Sequence, residues 1–189
     1  MHRENLRLKL EKYRPATEED AENKSRMLDF LSMHDDCFER SLPIGHFTGS
    51  CWLENCDGTK FLLTLHKKIG LWLQLGGHAD GDSDLAQVAL KEAREESGLK
   101  HVELVSEDIF DIGIHLITEY KGVPAHYHYD VRFLLRTSDP NNDISISDES
   151  DDLRWFESLP TNFPNLGCDV PIQFNKWQAL KNRTGTKTC

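Results

Sequence analysis

The sequence predicts an α+β fold: a mixed β-sheet sandwiched between α-helices, with a helical extension at the N-terminus. Three observations carry that expectation. In the first forty residues Met27, Phe30, Leu31 and His34 recur at helical spacing. Short strand-like segments then lie on both sides of one central helical stretch, joined by hairpin signals instead of a regular strand-helix alternation. At 189 residues, with 38% hydrophobic and 9% aromatic side chains, the chain is long enough to bury a core.

In order along the chain, Leu6 to Arg40 is rich in Glu, Lys, Asp and Leu and reads as helix interrupted near Pro15. The texture changes at His46, so an N-terminal helical extension is expected over residues 1–44 and the main domain over 45–189. Phe47 to Leu53 reads as a strand, Asp57-Gly58 as a hairpin turn, and Phe61 to Leu65 as the return strand. A short strand at Leu71 to Leu75 runs into Gly76-Gly77. A helix is predicted from Ser83 to Ser97, opened by Asp and Ser residues suited to an N-cap and closed by Gly98. Val102 to Ile112, Ile114 to Thr118, His126 to Arg136 and Leu153 to Phe156 supply the remaining strands. Asn141 through Asp152 is an acidic loop, and Pro171 to Leu180 a final helix.

Composition narrows the function. With 22 Lys and Arg against 32 Asp and Glu, the net charge of −10 repels a nucleic-acid backbone. A phosphate-bearing small molecule would therefore be received through a cation, with neither nucleic acid nor membrane as partner. The cysteines Cys37, Cys51, Cys56, Cys168 and Cys189 are odd in number and lack paired Cys-x-x-Cys spacing, as expected of reduced thiols. The N-terminus has no apolar stretch of the signal-peptide kind, and no run approaches the length of a membrane span, so a cytoplasmic location is expected.

The chemistry is concentrated in GGHADGDSDLAQVALKEAREESGL, Gly76 to Leu99. On a helix, Glu92, Glu95 and Glu96 fall within an arc of roughly 100°, beside an apolar stripe of Ala86, Ala89, Leu90 and Ala93. Packing that stripe onto a sheet would hold the three carboxylates at its edge. Like charges at these spacings cost a few tenths of a kcal/mol per pair, so the cluster calls for a counter-charge. A hard, oxygen-seeking divalent cation, Mg²⁺ or Mn²⁺, supplies it. Three glutamates on a helix are by themselves an ordinary solvated face. The glycines ahead of them would let backbone approach a ligand at the helix entrance.

The frame around the glutamates resembles the Nudix box, G-x5-E-x7-R-E-U-x-E-E-x-G-U, with U a bulky aliphatic residue. From Gly77, residues Glu92, Glu95, Glu96, Gly98 and Leu99 fall in register, with Ala93 as a small stand-in for U. At background usage the five Gly and Glu matches would occur by chance in roughly 10⁻⁴ of chains this long. Ser83 stands where the box has its first Glu, and Lys91 where it has Arg. Lysine lacks arginine's bidentate fork, and Asp82 or Asp84 is a candidate partner for Lys91.

The resemblance implies a Nudix fold and a Mg²⁺-dependent hydrolase cutting a diphosphate bond in a nucleoside diphosphate derivative, such as a nucleotide sugar, ADP-ribose or a nucleoside triphosphate. It implies Glu95 and Glu96 as principal metal ligands. Glu92 becomes a further ligand or the carboxylate that orients water, and the Gly77 carbonyl joins the shell. It also suggests a carboxylate from outside the box, for which Glu149 is the candidate and a solvated loop the plain alternative. A Nudix-fold binding module without catalysis is the competing reading, motivated by Ser83 and Lys91.

Outside the box, His126, His128 and Asp130 alternate on one strand face, which could line a substrate pocket beside His78. Structural packing and a His-x-His zinc site are the other readings of those rings. Trp72, Trp155 and Tyr127 are available to stack on a base, although large aromatics on strands are more often core. The N-terminal helical segment is a candidate for homodimerisation or for covering the pocket.

Overall fold

The computed structural model describes residues 3–120, 122–141, 143–159 and 164–184. Two helices open the chain, α1 (Glu4–Lys12) and α2 (Glu18–Met33), with the break at Pro15 where proline predicts it. Thr17 caps α2, its hydroxyl accepting from Asp20 N at 3.1 Å. The strands are β1 (Gly45–Glu54), β2 (Phe61–His66), β3 (Trp72–Leu73), β4 (Leu75–His78), β5 (Val102–Leu104), β6 (Asp111–Ile117), β7 (His126–Thr137) and β8 (Ser150–Phe156). Between β4 and β5 lies α3 (Leu85–Ser97), and α4 (Val170–Thr184) follows β8. The fold is the expected α+β class.

The eight strands join one sheet with the order β3-β2-β1-β7-β5, to which β4 adds on β1, β6 on β7 and β8 on β2. The chain forms two compact units. One comprises Met1–Ser50, Gly76–Ala89 and Ser106–Phe133; the other comprises Cys51–Leu75, Leu90–Val105 and Leu134–Cys189. Strands β1, β4 and β7 and helix α3 each contribute residues to both.

In the first unit the N-terminal helices bury one face. Phe30 of α2 stacks on Tyr129 of β7 with centroids 4.0 Å apart and packs on Phe47 of β1 at 5.6 Å, while Leu6, Leu10 and Met27 are fully enclosed. Each such side chain contributes about 1.5–3 kcal/mol of burial. In the second unit Trp52 stacks on Phe61 at 4.6 Å and lies 6.1 Å from Trp177 of α4. The Trp177 indole donates to Glu54 Oε2 at 2.6 Å, and Glu54 also accepts from Arg136 Nε at 2.7 Å, so this buried carboxylate is partnered on both oxygens.

The structure corrects five segments. The strand expected over Val102 to Ile112 is two strands, with residues 105–110 looping out between them, and the segment expected at Ile114 to Thr118 is part of β6. Anchors from α1 explain the excursion: Lys9 Nζ donates to the carbonyl and carboxylate of Glu107 at 2.6 Å, and Lys12 pairs with Asp108 at 2.5 Å. The segment expected at Leu71 to Leu75 is likewise split, into β3 and the start of β4, and Gly76-Gly77 lie within β4. A Cβ on Gly76 would sit 2.2 Å from Ser50 Oγ, so its glycine permits close approach to β1. The acidic loop ends earlier than expected, at the start of β8, and α4 runs past Leu180 to Thr184.

Cys37, Cys51, Cys56 and Cys168 form no disulfide among the described residues, while Cys189 and, in the acidic loop, Asn142 lie outside them. Among the described residues no helix is long and apolar enough to cross a membrane.

Candidate active site

Helix α3 is built as its sequence dictates. Asp84 precedes it as N-cap, its carbonyl accepting from Gln87 N at 2.9 Å and Val88 N at 3.1 Å. Gly98, at φ +71°, follows it in the left-handed conformation that closes helices. The stripe of Leu85, Ala86, Ala89, Leu90 and Ala93 is buried. That burial fixes where the acidic side chains point: Glu96 is buried, Glu92 half-buried and Glu95 exposed.

The counter-charge within the helix is Lys91. Its Nζ lies 3.6 Å from Glu92 Oε1 and 3.7 Å from Glu95 Oε2, so the partners of this lysine are box glutamates, where Asp82 or Asp84 was the expectation. The Asp82 carboxylate instead accepts from Asp84 N at 2.9 Å in the turn before the helix. Burial pushes the Glu92 carboxyl up, Lys91 opposes the rise, and the charges of Glu95 and Glu149 add to it. Glu149, exposed in the turn before β8, is thus close enough for its charge to act on Glu92. Its carbonyl accepts from Lys67 N at 3.0 Å.

Carboxylate oxygens are the donor set that a hard divalent cation takes, and a half-buried acid raised by burial and like charge is one that such a cation would relieve. The residues therefore fit Mg²⁺ or Mn²⁺. Gly77, the remaining ligand implied by the motif, is half-buried on β4.

A second cluster assembles in the first unit. His126 and His128 share a face of β7 as their alternation predicts, with their Nε2 atoms 3.1 Å apart. His78, at the end of β4, has its ring 5.0 Å from that of His128. His46, at the start of β1, completes the group, 5.1 Å from His78, 5.2 Å from His126 and 4.7 Å from His128. Burial, then the neighbouring imidazoles, hold His46 down to about 4 and His128 down to about 3, so both are neutral at pH 7.

Asp130, next on that face of β7, accepts from Thr48 at 2.8 Å, Ser50 at 2.6 Å and Arg132 Nε at 2.7 Å. Burial alone would raise its carboxyl; Arg132 and the hydroxyls outweigh it and hold the group low. Arg132, itself buried, also donates to Asp111 Oδ2 at 2.6 Å and reaches His115 Nε2 at 2.8 Å. His46, Arg132 and Asp111 were not singled out from sequence. The alternation His46, Thr48, Ser50 along β1 was a signal that could have found the first; Asp111 lies 21 residues from Arg132 and carries none.

Of the aromatics, Trp72 is buried, as the core reading has it. Trp155 is only half-buried, facing Leu62 across the β2–β8 ladder. Tyr127 is exposed beneath the Arg26 guanidinium, 5.5 Å from its ring centre.

The NUDIX domain model matches residues 46–159. No curated protein matches the chain. Among solved structures, a NUDIX-family hydrolase from Clostridium perfringens is 28% identical, with a TM-score of 0.53, covering 71% of this chain and 97% of its own. An Ap4A hydrolase from C. elegans shares the fold at 20% identity and a TM-score of 0.57, covering 72% of this chain and 98% of its own. A MutT protein from Methanosarcina mazei Go1 does so at 20% identity and 0.57, covering 74% and 97%. The fold is thus common to all three, and the matched region takes in the strands, the box helix and the turn bearing Glu149. With well over half of its 189 residues inside the family model, the chain belongs to the NUDIX family of hydrolases.

Proposed function

We propose that the protein hydrolyses the diphosphate linkage of a nucleoside diphosphate derivative, a nucleotide sugar, ADP-ribose or a nucleoside triphosphate, using Mg²⁺ or Mn²⁺ held by Glu95, Glu96 and Glu92 with help from Glu149. One observation carries this reading: three carboxylates gather within one turn of α3, and one of them, Glu92, is half-buried, with its carboxyl raised by burial and, to a lesser degree, by the charges of Glu95 and Glu149. Bound among these oxygens, the cation would neutralise the diphosphate and align a water for in-line attack. Glu92, whose carboxyl is held up by burial, is the group suited to take the proton of that water at its Oε atoms. His78, His126 and His128 would contact the substrate, His128 through a hydrogen bond, since burial keeps its ring neutral. The net charge of −10 disfavours an anionic substrate overall and so puts weight on the cation.

A panel of nucleoside diphosphate derivatives with Mg²⁺ and Mn²⁺, read by released phosphate products, tests this. The E95Q/E96Q double variant is expected to lose metal-dependent turnover, and undiminished turnover would refute the assignment. The position of Lys91 between Glu92 and Glu95 favours a second reading, a nucleotide-binding module without catalysis; multiple-turnover cleavage eliminates it.

A further inference from the structure

We propose that His46, His78 and His128 hold a divalent transition-metal ion of the Zn²⁺ type, at a site that shares no residue with the box carboxylates. The three come from strands adjacent in the sheet, β4, β1 and β7. One ring nitrogen from each lies within 4.8 Å of the others. Tetrahedral zinc, with Zn–N distances of about 2.0–2.1 Å, sets its nitrogens about 3.3 Å apart, so side-chain rotations of the order of an ångström close the site. Imidazole is the donor that selects zinc, copper, nickel or cobalt over the hard cations the carboxylates take.

His46 supplies the independent observation. Its ring is 2% exposed, and neither nitrogen has a hydrogen-bond partner. Plain packing would leave that polar ring unsatisfied, at a cost of about 1–3 kcal/mol for a buried group. A metal bond removes that cost at one of the two nitrogens.

His126 is oriented as a neighbour of such a site should be. Its Nδ1 lies 2.8 Å from the Pro124 carbonyl, which can only accept, so Nδ1 carries a proton. In its neutral form the lone pair is then on Nε2, which faces His128 Nε2 at 3.1 Å. A backbone carbonyl fixing the far nitrogen of a ring is the usual outer support of metal-binding histidines. His126 thus stands beside the three-histidine group as a neighbour that can accept a hydrogen bond from the His128 ring.

The experiment uses the full chain without an affinity tag, stripped with chelator, then dialysed against Zn²⁺ or Co²⁺ in excess Mg²⁺ and counted by elemental analysis. One ion per chain is expected, with ligand-field absorption from the Co²⁺ form that Zn²⁺ abolishes. His78→Gln, at a half-buried position, should weaken binding at least about 100-fold, more than loss of an outer support does. E95Q/E96Q should bind as tightly as the unaltered chain, which separates this site from the carboxylate one. A substoichiometric count, binding unmoved by His78→Gln, or binding lost in E95Q/E96Q would each overturn the proposal. The Co²⁺ spectrum is taken on the unaltered chain, so the test survives a variant that fails to fold.

Discussion

Replacing Lys91 with Met separates two roles for this residue. Its ammonium lies 3.6 and 3.7 Å from Glu92 and Glu95, and 63% of the side chain is exposed. At that exposure each pair contributes about 0.2–1 kcal/mol. A cation entering the carboxylates must work against this resident charge, so removing it should strengthen metal binding by up to the sum, about 0.4–2 kcal/mol or roughly 2- to 30-fold. Methionine has a helix propensity close to that of lysine, so α3 is undisturbed. Free Mn²⁺ measured by electron paramagnetic resonance reads the affinity without any substrate. Because Lys91 opposes the rise of the Glu92 carboxyl, the acid limb of the pH–activity profile should also move to higher pH in the variant. If Lys91 instead holds Glu92 and Glu95 in place for the ion, K91M weakens Mn²⁺ binding; weakened or unchanged affinity refutes the competition argument.

Two further outcomes concern the first unit. Arg132→Met strands the buried carboxylates of Asp111 and Asp130, now bonded at 2.6 and 2.7 Å, and should cost about 3–5 kcal/mol in urea unfolding; a loss under about 1 kcal/mol would contradict the network. In the chelator-treated chain, His46 and His128 have folded values near 4 and 3, below their ordinary 6.5, so the unfolded state binds more protons as pH falls through 6.5. Stability should therefore decline from about pH 6.5 towards pH 4, by up to about 1.4 kcal/mol per pH unit for each ring, and a flat urea-unfolding profile from pH 7 to 5 would count against it.

What was legible in the sequence was what is local. The Asp84 cap, the Gly98 stop and the Glu92–Glu95–Glu96 spacing all sit within one helix, where 3.6-residue periodicity fixes directions without knowledge of the rest of the chain. The break at residues 105–110 was not legible, because Val102 to Ile112 has strand texture and its interruption depends on Lys9 and Lys12, about a hundred residues away. Trp155 illustrates the same limit: its strand is correctly placed in β8, yet its half-burial follows from which neighbours cover that face. His126, His128 and Asp130 were rightly put on one face, while the buried cation that holds Asp130, Arg132, was passed over, since strand periodicity gives a side and no partner.

That distinction bears on the two donor sets. Glu92, Glu95 and Glu96 are brought together by one helix, so the carboxylate group needs only α3 and the stripe that anchors it. The imidazoles are gathered from residues 46, 78 and 128 and exist as a group only once β1, β4 and β7 are adjacent. An ion on the histidines would bind the folded sheet in preference to the open chain and so stabilise that sheet by mass action. An ion on the glutamates, held by oxygens partly open to solvent, is free to exchange with substrate and product. Hard donors on a helix suit turnover, and borderline donors locked between strands suit retention; the chain keeps the two chemistries on different residues.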